Sequence, residues 1–248
     1  MTPDRTPDRT PDRLLLDRVA ADAWPAAERR VHDGWLLRSA RTASGVPVTK
    51  RANSGLALSG GPTPERLAAV TEFYRERGLP PLLQVSDPDL DDALADLGWE
   101  QLAPTLVMTG PVPEGDASLV APGPSEAWLQ AFSTGGPDQL EVNRRCLAAV
   151  EAPAGYVGVV EQDGTLVALG RGVVQEGLLG VFSMSVLTSH RRRGLARAVL
   201  GALGAWARDL GATGAYLQVE ADNGPARRLY EQAGFTPAYG YHYRRSTT

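Results

Sequence analysis

The chain has 248 residues, 43% of them hydrophobic and 22% charged, with a formal net charge of −4. This allows one large or two small domains with a folded core, and the acidic balance disfavours a general nucleic-acid role. No apolar run approaches the ~20 residues that span a bilayer, no hydrophobic signal region opens the chain, and Cys146, the single cysteine, forbids an intramolecular disulfide.

A cytoplasmic setting without membrane association is therefore expected. The 3 histidines and 1 cysteine lack ligand spacing, so no metal is expected. Lys50 is the only lysine beside many arginines, which suggests a GC-rich bacterial source.

In chain order, Thr2 to Arg13 is three copies of Thr-Pro-Asp-Arg, read as a disordered tail because the repeated proline prevents a continuous helix. Leu14 onward is apolar and helical, with Leu15, Val19 and Trp24 as core candidates. Trp35 to Ser39 and Thr49 to Leu56 read as strands around a Ser-Gly turn. Thr63 caps a helix with Pro64 at its first position, which stops at Gly78. Pro81 to Val85 reads as a strand, Asp87 caps a helix to Gly98, and Trp99 to Thr109 returns as a strand. Pro and Gly crowd the stretch 109–124, the natural linker. Two helical patterns follow, Trp128 to Phe132 and Leu140 to Val150, then a hairpin turning at Asp163-Gly164. A final strand carries Tyr239, Tyr241 and Tyr243 on one face and His242 on the other.

The most informative stretch is 178–200. Gly180 to Val186 alternates as a strand, and Arg191-Arg192-Arg193-Gly194-Leu195-Ala196 opens a helix. Free N–H groups of a first helical turn, the helix dipole, arginine charge and a residue without Cβ together suit a phosphate. Neither G-x-x-x-x-G-K-[ST] nor G-x-G-x-x-G after a strand is present. The spacing Arg191-x-x-Gly194-x-Ala196 resembles the pyrophosphate loop R-x-x-G-x-[GA] of the GNAT acyltransferases. A second stretch, Asn223 through Ala226, Leu229 and Tyr230 to Gly234-Phe235, resembles that family's N-x-x-A-x-x-[LF]-Y-x-x-x-G-F signature.

The resemblance implies an α/β fold with a twisted mixed sheet flanked by helices, acetyl-CoA as cosubstrate, and direct acetyl transfer to a primary amine. The pyrophosphate would rest on Arg192, Arg193, Gly194, Leu195 and Ala196, with Arg191 adding charge. The pantetheine arm would run beside Met184, Ser185 and Val186, and a backbone N–H there would polarise the thioester. Asn223 would hold a pantetheine amide, Tyr230 would protonate the CoA thiolate, and Arg197 would point outward.

The element order repeats. Leu83-Gln84-Val85 reappears as Leu217-Gln218-Val219, and Gly98-Trp99 as Gly234-Phe235. Leu94 then aligns with Tyr230, and Ser59-Gly60-Gly61-Pro62 with the arginine loop. The expectation is a tandem arrangement, with a tail over 1–13, a degenerate GNAT-like domain over 14–110, a linker over 111–124 and a catalytic domain over 125–248.

No carboxylate lies on the strand before the arginine loop, where many relatives place a glutamate. Glu141, Glu176, Glu220 and His242 are the alternatives for a base. Glu141, Asn143 and Arg144 are candidates for facing substrate. The leading reading is an N-acetyltransferase acting on a small-molecule amine; an acyl-CoA-binding sensor and a protein or peptide N-acetyltransferase are the alternatives. A monomer is expected, with a homodimer as the other arrangement.

Overall fold

The computed structural model describes residues 11–247, so most of the Thr-Pro-Asp-Arg tail lies outside the described residues. Arg13, the last residue of that repeat, already belongs to the first helix and pairs with Asp87 at 2.9 Å.

The elements run α1 (Arg13–Ala23), β1 (Glu28–His32), β2 (Trp35–Ser39), β3 (Gly55–Ala57), α2 (Pro64–Arg75), β4 (Leu82–Val85), α3 (Pro88–Asp96) and β5 (Glu100–Gly110). They continue through β6 (Val120–Ala121), α4 (Glu126–Phe132), α5 (Pro137–Ala148), β7 (Ala154–Val160), β8 (Leu166–Gln175), β9 (Leu178–Val186), α6 (Leu195–Asp209), β10 (Gly214–Glu220), α7 (Gly224–Gln232) and β11 (Thr236–Arg245). Local signals fix most of these. Thr63 and Asp87 accept from the third residue of their helices, and proline follows each. Gly98 and Gly234 are left-handed, with φ of 76° and 89°, and close α3 and α7.

Two expectations need correction. The strand expected over Thr49 to Leu56 is mostly a 3-10 turn at Arg51–Asn53, leaving β3 only three residues. Buried Asn53 explains this. Its amide nitrogen donates to the Ala40 and Thr49 carbonyls and its oxygen accepts from Ala40 N–H, so a side chain takes the place of strand ladder partners. The stretch 111–124 contains β6, which pairs with β7. Its backbone lies against α6 where Gly201 and Gly204 present no side chain; a Cβ on Gly204 would stand 1.9 Å from the Pro113 carbonyl oxygen. Arg208 donates to the carbonyls of Val112 and Pro113 at 3.1 and 3.2 Å.

Among the described residues the eleven strands form one mixed sheet in the order β1-β2-β3-β4-β11-β5-β10-β9-β8-β7-β6. Two parallel pairs stand out, β3 with β4 and β9 with β10. Between them the last strand of the chain, β11, lies beside β4, while β5 lies beside β10. Each part of the chain thus sends its final strand across to the other part. α6 packs one face of the second part through Val199, Leu200, Leu203 and Ala207, all buried. Each of the larger three contributes up to ~1.5–3 kcal/mol of burial.

Candidate active site

β9 and β10 are paired in parallel only from Leu178–Gly214 to Val181–Leu217, although β9 continues to Val186 and β10 to Glu220. The cause is local. Phe182 pairs with Arg171 and Ser185 with Leu169, so β9 carries one extra residue opposite Gly170. Ser183 takes φ 55°, unusual for a residue with a Cβ. A Cβ on Gly170 would lie 2.8 Å from Met184 Sδ and 2.5 Å from Val199 Cγ1, so glycine there admits the displaced strand. The bulge bends β9 away from β10 and leaves the β9 edge at Met184, Ser185 and Val186 without a strand partner on that side. Such an edge accepts an extended amide-bearing chain as an added strand.

At the end of β9 a 3-10 turn over Thr188–His190 leads into the arginine loop. Arg192 and Gly194 are left-handed, φ 67° and 80°. Gly194 is the N-cap of α6 and supplies no side-chain acceptor, so the N–H groups of the first turn at Leu195, Ala196 and Arg197 point out of the helix uncapped. A Cβ at Gly194 would meet nothing within 4 Å, which shows that the approach to the terminus is open. Arg191, Arg192 and Arg193 are exposed. Arg193 reaches Glu161 at 3.4 Å, as does His190 at 3.1 Å, and Arg191 Nε donates weakly to the Val186 carbonyl at 3.5 Å. Arg197 turns to Gln232 on α7 at 3.2 Å, away from the loop. An uncapped helix terminus, two left-handed residues and exposed guanidiniums fit a pyrophosphate.

Across the opening stands α7. Asn223 accepts the Ala226 N–H through Oδ1 at 3.2 Å as helix cap. That role leaves its Nδ2 to donate. Tyr230 is 7% exposed, belongs to the core cluster that also holds residues of β10 and α6, and meets Phe235 edge-on at 6.1 Å. Burial pushes its phenol up to about 12, so it stays protonated through neutral and moderately alkaline pH.

On the other face of the opening lies a 400 Å³ cavity bounded by Phe182 and Ser183 of β9, Gln218 and Glu220 of β10, Tyr241 and Tyr243 of β11, Trp24, Phe132 and the segment 49–51. Ser183 Oγ, Gln218 Oε1 and Arg51 Nε are buried there without a hydrogen-bond partner. Beneath Trp24 and Phe182 lies Arg171, fully buried, its guanidinium 5.5 Å from each of those rings. Sequence reading did not bring Trp24, Lys50, Arg51 or Thr105 to this opening, because α1, the 3-10 turn and β5 reach β9 and β10 through contacts distant in the chain, and Arg171 is hidden within β8.

The proposed bases separate. Glu220 lines the cavity. Glu141 pairs with Arg145 at 3.8 Å on α5, and Glu176 with Arg18 at 3.5 Å at the β8–β9 turn. His242 bonds Asp91 at 2.7 Å, and that carboxylate also takes Arg244 at 2.6 Å. The candidates on α5 are occupied elsewhere: buried Asn143 donates to Ser133 Oγ at 3.0 Å, and Arg144 pairs with Glu126 at 2.9 Å. Tyr239, expected on a common face with Tyr241 and Tyr243, does join the same core, but two register shifts in β11 give it a different role. Its hydroxyl donates to Asp17 on α1 at 2.7 Å, and Tyr239 does not line the cavity.

A mixed sheet whose parallel strands part beside an uncapped helix terminus is the architecture of the GNAT acyltransferases. It is shared with a solved GCN5-related N-acetyltransferase from Kribbella flavida, at a TM-score of 0.67, 18% identity and 95% coverage of both chains. Residues 11–244 match the family described as "Probable histone acetyltransferase Rv0428c C-terminal", and the chain belongs to that family. It is similar to the uncharacterized N-acetyltransferase YobR of Bacillus subtilis, 29% identical across 92% of this chain and 96% of that protein. It is also 29% identical to the protein described as "Probable histone acetyltransferase Rv0428c" of Mycobacterium tuberculosis, over 82% of this chain but 65% of that longer protein. The protein is thus an acyltransferase of the GNAT kind.

Proposed function

We propose that this protein transfers an acetyl group from acetyl-CoA to the primary amine of a small molecule. The observation that carries the reading is the continuity of three features: the uncapped α6 terminus, the unpaired β9 edge, and a cavity with a carboxylate on the far side of the same opening. The pyrophosphate rests on the N–H groups from Arg192 to Ala196 with Arg191 and Arg193 adding charge, and the pantetheine follows Met184 to Val186, its amide held by Asn223 Nδ2.

The acceptor enters the cavity as an ammonium and loses a proton to Glu220, directly or through water. The free amine attacks the thioester carbon, and the oxygen of that carbon gains charge that a β9 backbone N–H near Met184 or Ser185 stabilises. The carbon–sulfur bond breaks, the thiolate takes a proton from Tyr230, the amide nitrogen sheds its remaining excess proton to solvent, and the proton held by Glu220 returns through water to Tyr230, restoring both side chains. The products are an N-acetyl compound, CoA thiol and one net proton.

Glu220 supplies the carboxylate that β9 lacks, which favours catalysis over a non-catalytic acyl-CoA sensor. The cavity volume of 400 Å³ lies in the range of small-molecule sites (~300–1,000 Å³) and supports a small acceptor over a peptide. By analogy between Gly98-Trp99 and Gly234-Phe235, and between the two parallel strand pairs, we also read the chain as a duplicated GNAT unit. In that reading the first part, 14–110, has lost its cosubstrate loop and the second part, 125–248, keeps it. Acetyl-CoA incubated with a panel of amines, with thiol release and product mass as readouts, tests the activity. Release of CoA with an acetyl-sized mass gain on one amine is expected, and binding without turnover on any amine would favour the sensor.

A further inference from the structure

We infer that the acceptor carries a carboxylate in addition to its amine, and that Arg51 binds it. The inference rests on the acetyltransferase reading above and adds the class of acceptor to it.

The charge of the cavity points this way. Lys50 and Arg51 line it and Arg171 lies under its aromatic wall, against a single carboxylate, Glu220. The Phe182 ring is within reach of two guanidiniums, Arg51 at 5.9 Å and Arg171 at 5.5 Å. Among the described residues no ion pair joins Arg51 or Arg171 to an acid. Buried guanidinium without an anion is costly, and an aromatic face recovers only part of the cost.

Arg171 keeps Nε and Nη1 without a partner while its Nη2 donates to the Ala23 carbonyl at 2.9 Å, but it lies behind the aromatic wall and does not line the cavity, whereas Arg51 does. Arg51 is placed for a ligand. Its Nε is buried without a partner, and so are Ser183 Oγ and Gln218 Oε1 at the same cavity. Arg51 is also held in position. The Asn53 amide ties the segment to Ala40 and Thr49, and Ala52 N–H donates to Thr49 Oγ1 at 3.1 Å. A guanidinium held this way offers a carboxylate two parallel N–H donors. With the carboxylate on Arg51 and the ammonium towards Glu220, the amine faces the gap between β9 and β10. Ser183 and Gln218 border that gap and would bond the amine or its neighbouring atoms.

The test compares free amino acids with the amines formed by their decarboxylation, on wild type, Arg51→Gln and Arg51→Lys. Wild type is expected to turn over the carboxylate-bearing member of a pair with the higher kcat/KM. Arg51→Gln should raise KM for that member by about 30-fold, as the loss of a charge-assisted pair implies. It should leave the decarboxylated partner within about twofold and leave acetyl-CoA affinity unchanged. Arg51→Lys should recover part of the loss. Preference for the decarboxylated amine, or an equal effect of Arg51→Gln on both members, would overturn the proposal.

Binding is measured separately with N-acetyl amino acids in the presence of CoA. Binding to wild type that Arg51→Gln abolishes supports the carboxylate site even where no amine is turned over, in which case only the transfer reading fails. Absence of binding to the wild type, or equal binding to both, rejects the site. Thermal melts of the variants separate loss of contact from loss of fold.

Discussion

Among the described residues two strand–loop–helix–strand units share one local arrangement, and one of the two is open. In each, a strand runs into a loop and a helix, and a second strand lies parallel to the first. At β3–α2 the helix terminus is closed from within. Thr63 accepts the Arg66 N–H, Pro64 removes a donor, and the Arg66 guanidinium lies over Gly60, donating to the Gly61 carbonyl at 2.7 Å and pairing with Asp33 at 2.8 Å. Asp87 and Asp89 border the adjoining cleft and would repel a phosphate. At β9–α6, Gly194 caps nothing and three arginines stand exposed. The position of the proposed acid differs in the same sense: buried Leu94 stands in α3 where α7 has Tyr230, and both backbones close alike, Trp99 N–H on Leu94 and Phe235 N–H on Tyr230, each at 3.0 Å. The difference teaches that a helix N-terminus after a strand is an anion site only when its donors are left uncapped and its approach unfilled.

The largest expected effect lies at Tyr230, the proposed acid. Tyr230→Phe should lower kcat by roughly 10²–10⁴-fold with acetyl-CoA affinity little changed, read by single-turnover thiol release. An unchanged kcat would remove the asymmetry between Tyr230 and Leu94. Next, Gly194→Trp should weaken acetyl-CoA by about 100-fold, as the loss of two charge-assisted hydrogen bonds implies. Gly61 faces open space without a left-handed backbone, so Gly61→Trp should bind acetyl-CoA like wild type. Smaller still, Thr63→Ala should cost ~1 kcal/mol of stability through the lost cap, measured by urea unfolding, and leave acetyl-CoA binding alone.

The pH profile sharpens the same point. Burial raises the Tyr230 phenol to about 12, and the raised value keeps the donor form through the whole alkaline working range. No alkaline fall in kcat assignable to Tyr230 is expected below about pH 11, so Tyr230→Phe should scale the profile down without moving its alkaline limb. A limb near 10 that disappears in Tyr230→Phe would show an unperturbed phenol.

The open copy was legible in the sequence because its signals are local. Arg191 to Ala196, the Asn223 cap and the Gly234 stop are read from neighbours a few residues apart. Thr63 and Asp87 were legible for the same reason. The remainder depends on distance in the chain. β1 was missed because Glu28–His32 is nearly all exposed and shows no apolar alternation. The passage of β5 beside β10, and of β11 beside β4, leaves no mark in local periodicity. For that reason the cavity that joins Arg51 and Trp24 to Gln218 was beyond sequence reading, and the sequence offers no way to place Glu220 rather than Glu141, Glu176 or His242 at its wall.

The most direct test of the contrast is isothermal titration of acetyl-CoA into wild type, Gly194→Trp and Gly61→Trp. The account predicts one site per chain, retained in Gly61→Trp and lost in Gly194→Trp. Two sites per chain, or binding that survives Gly194→Trp and falls in Gly61→Trp, would contradict it.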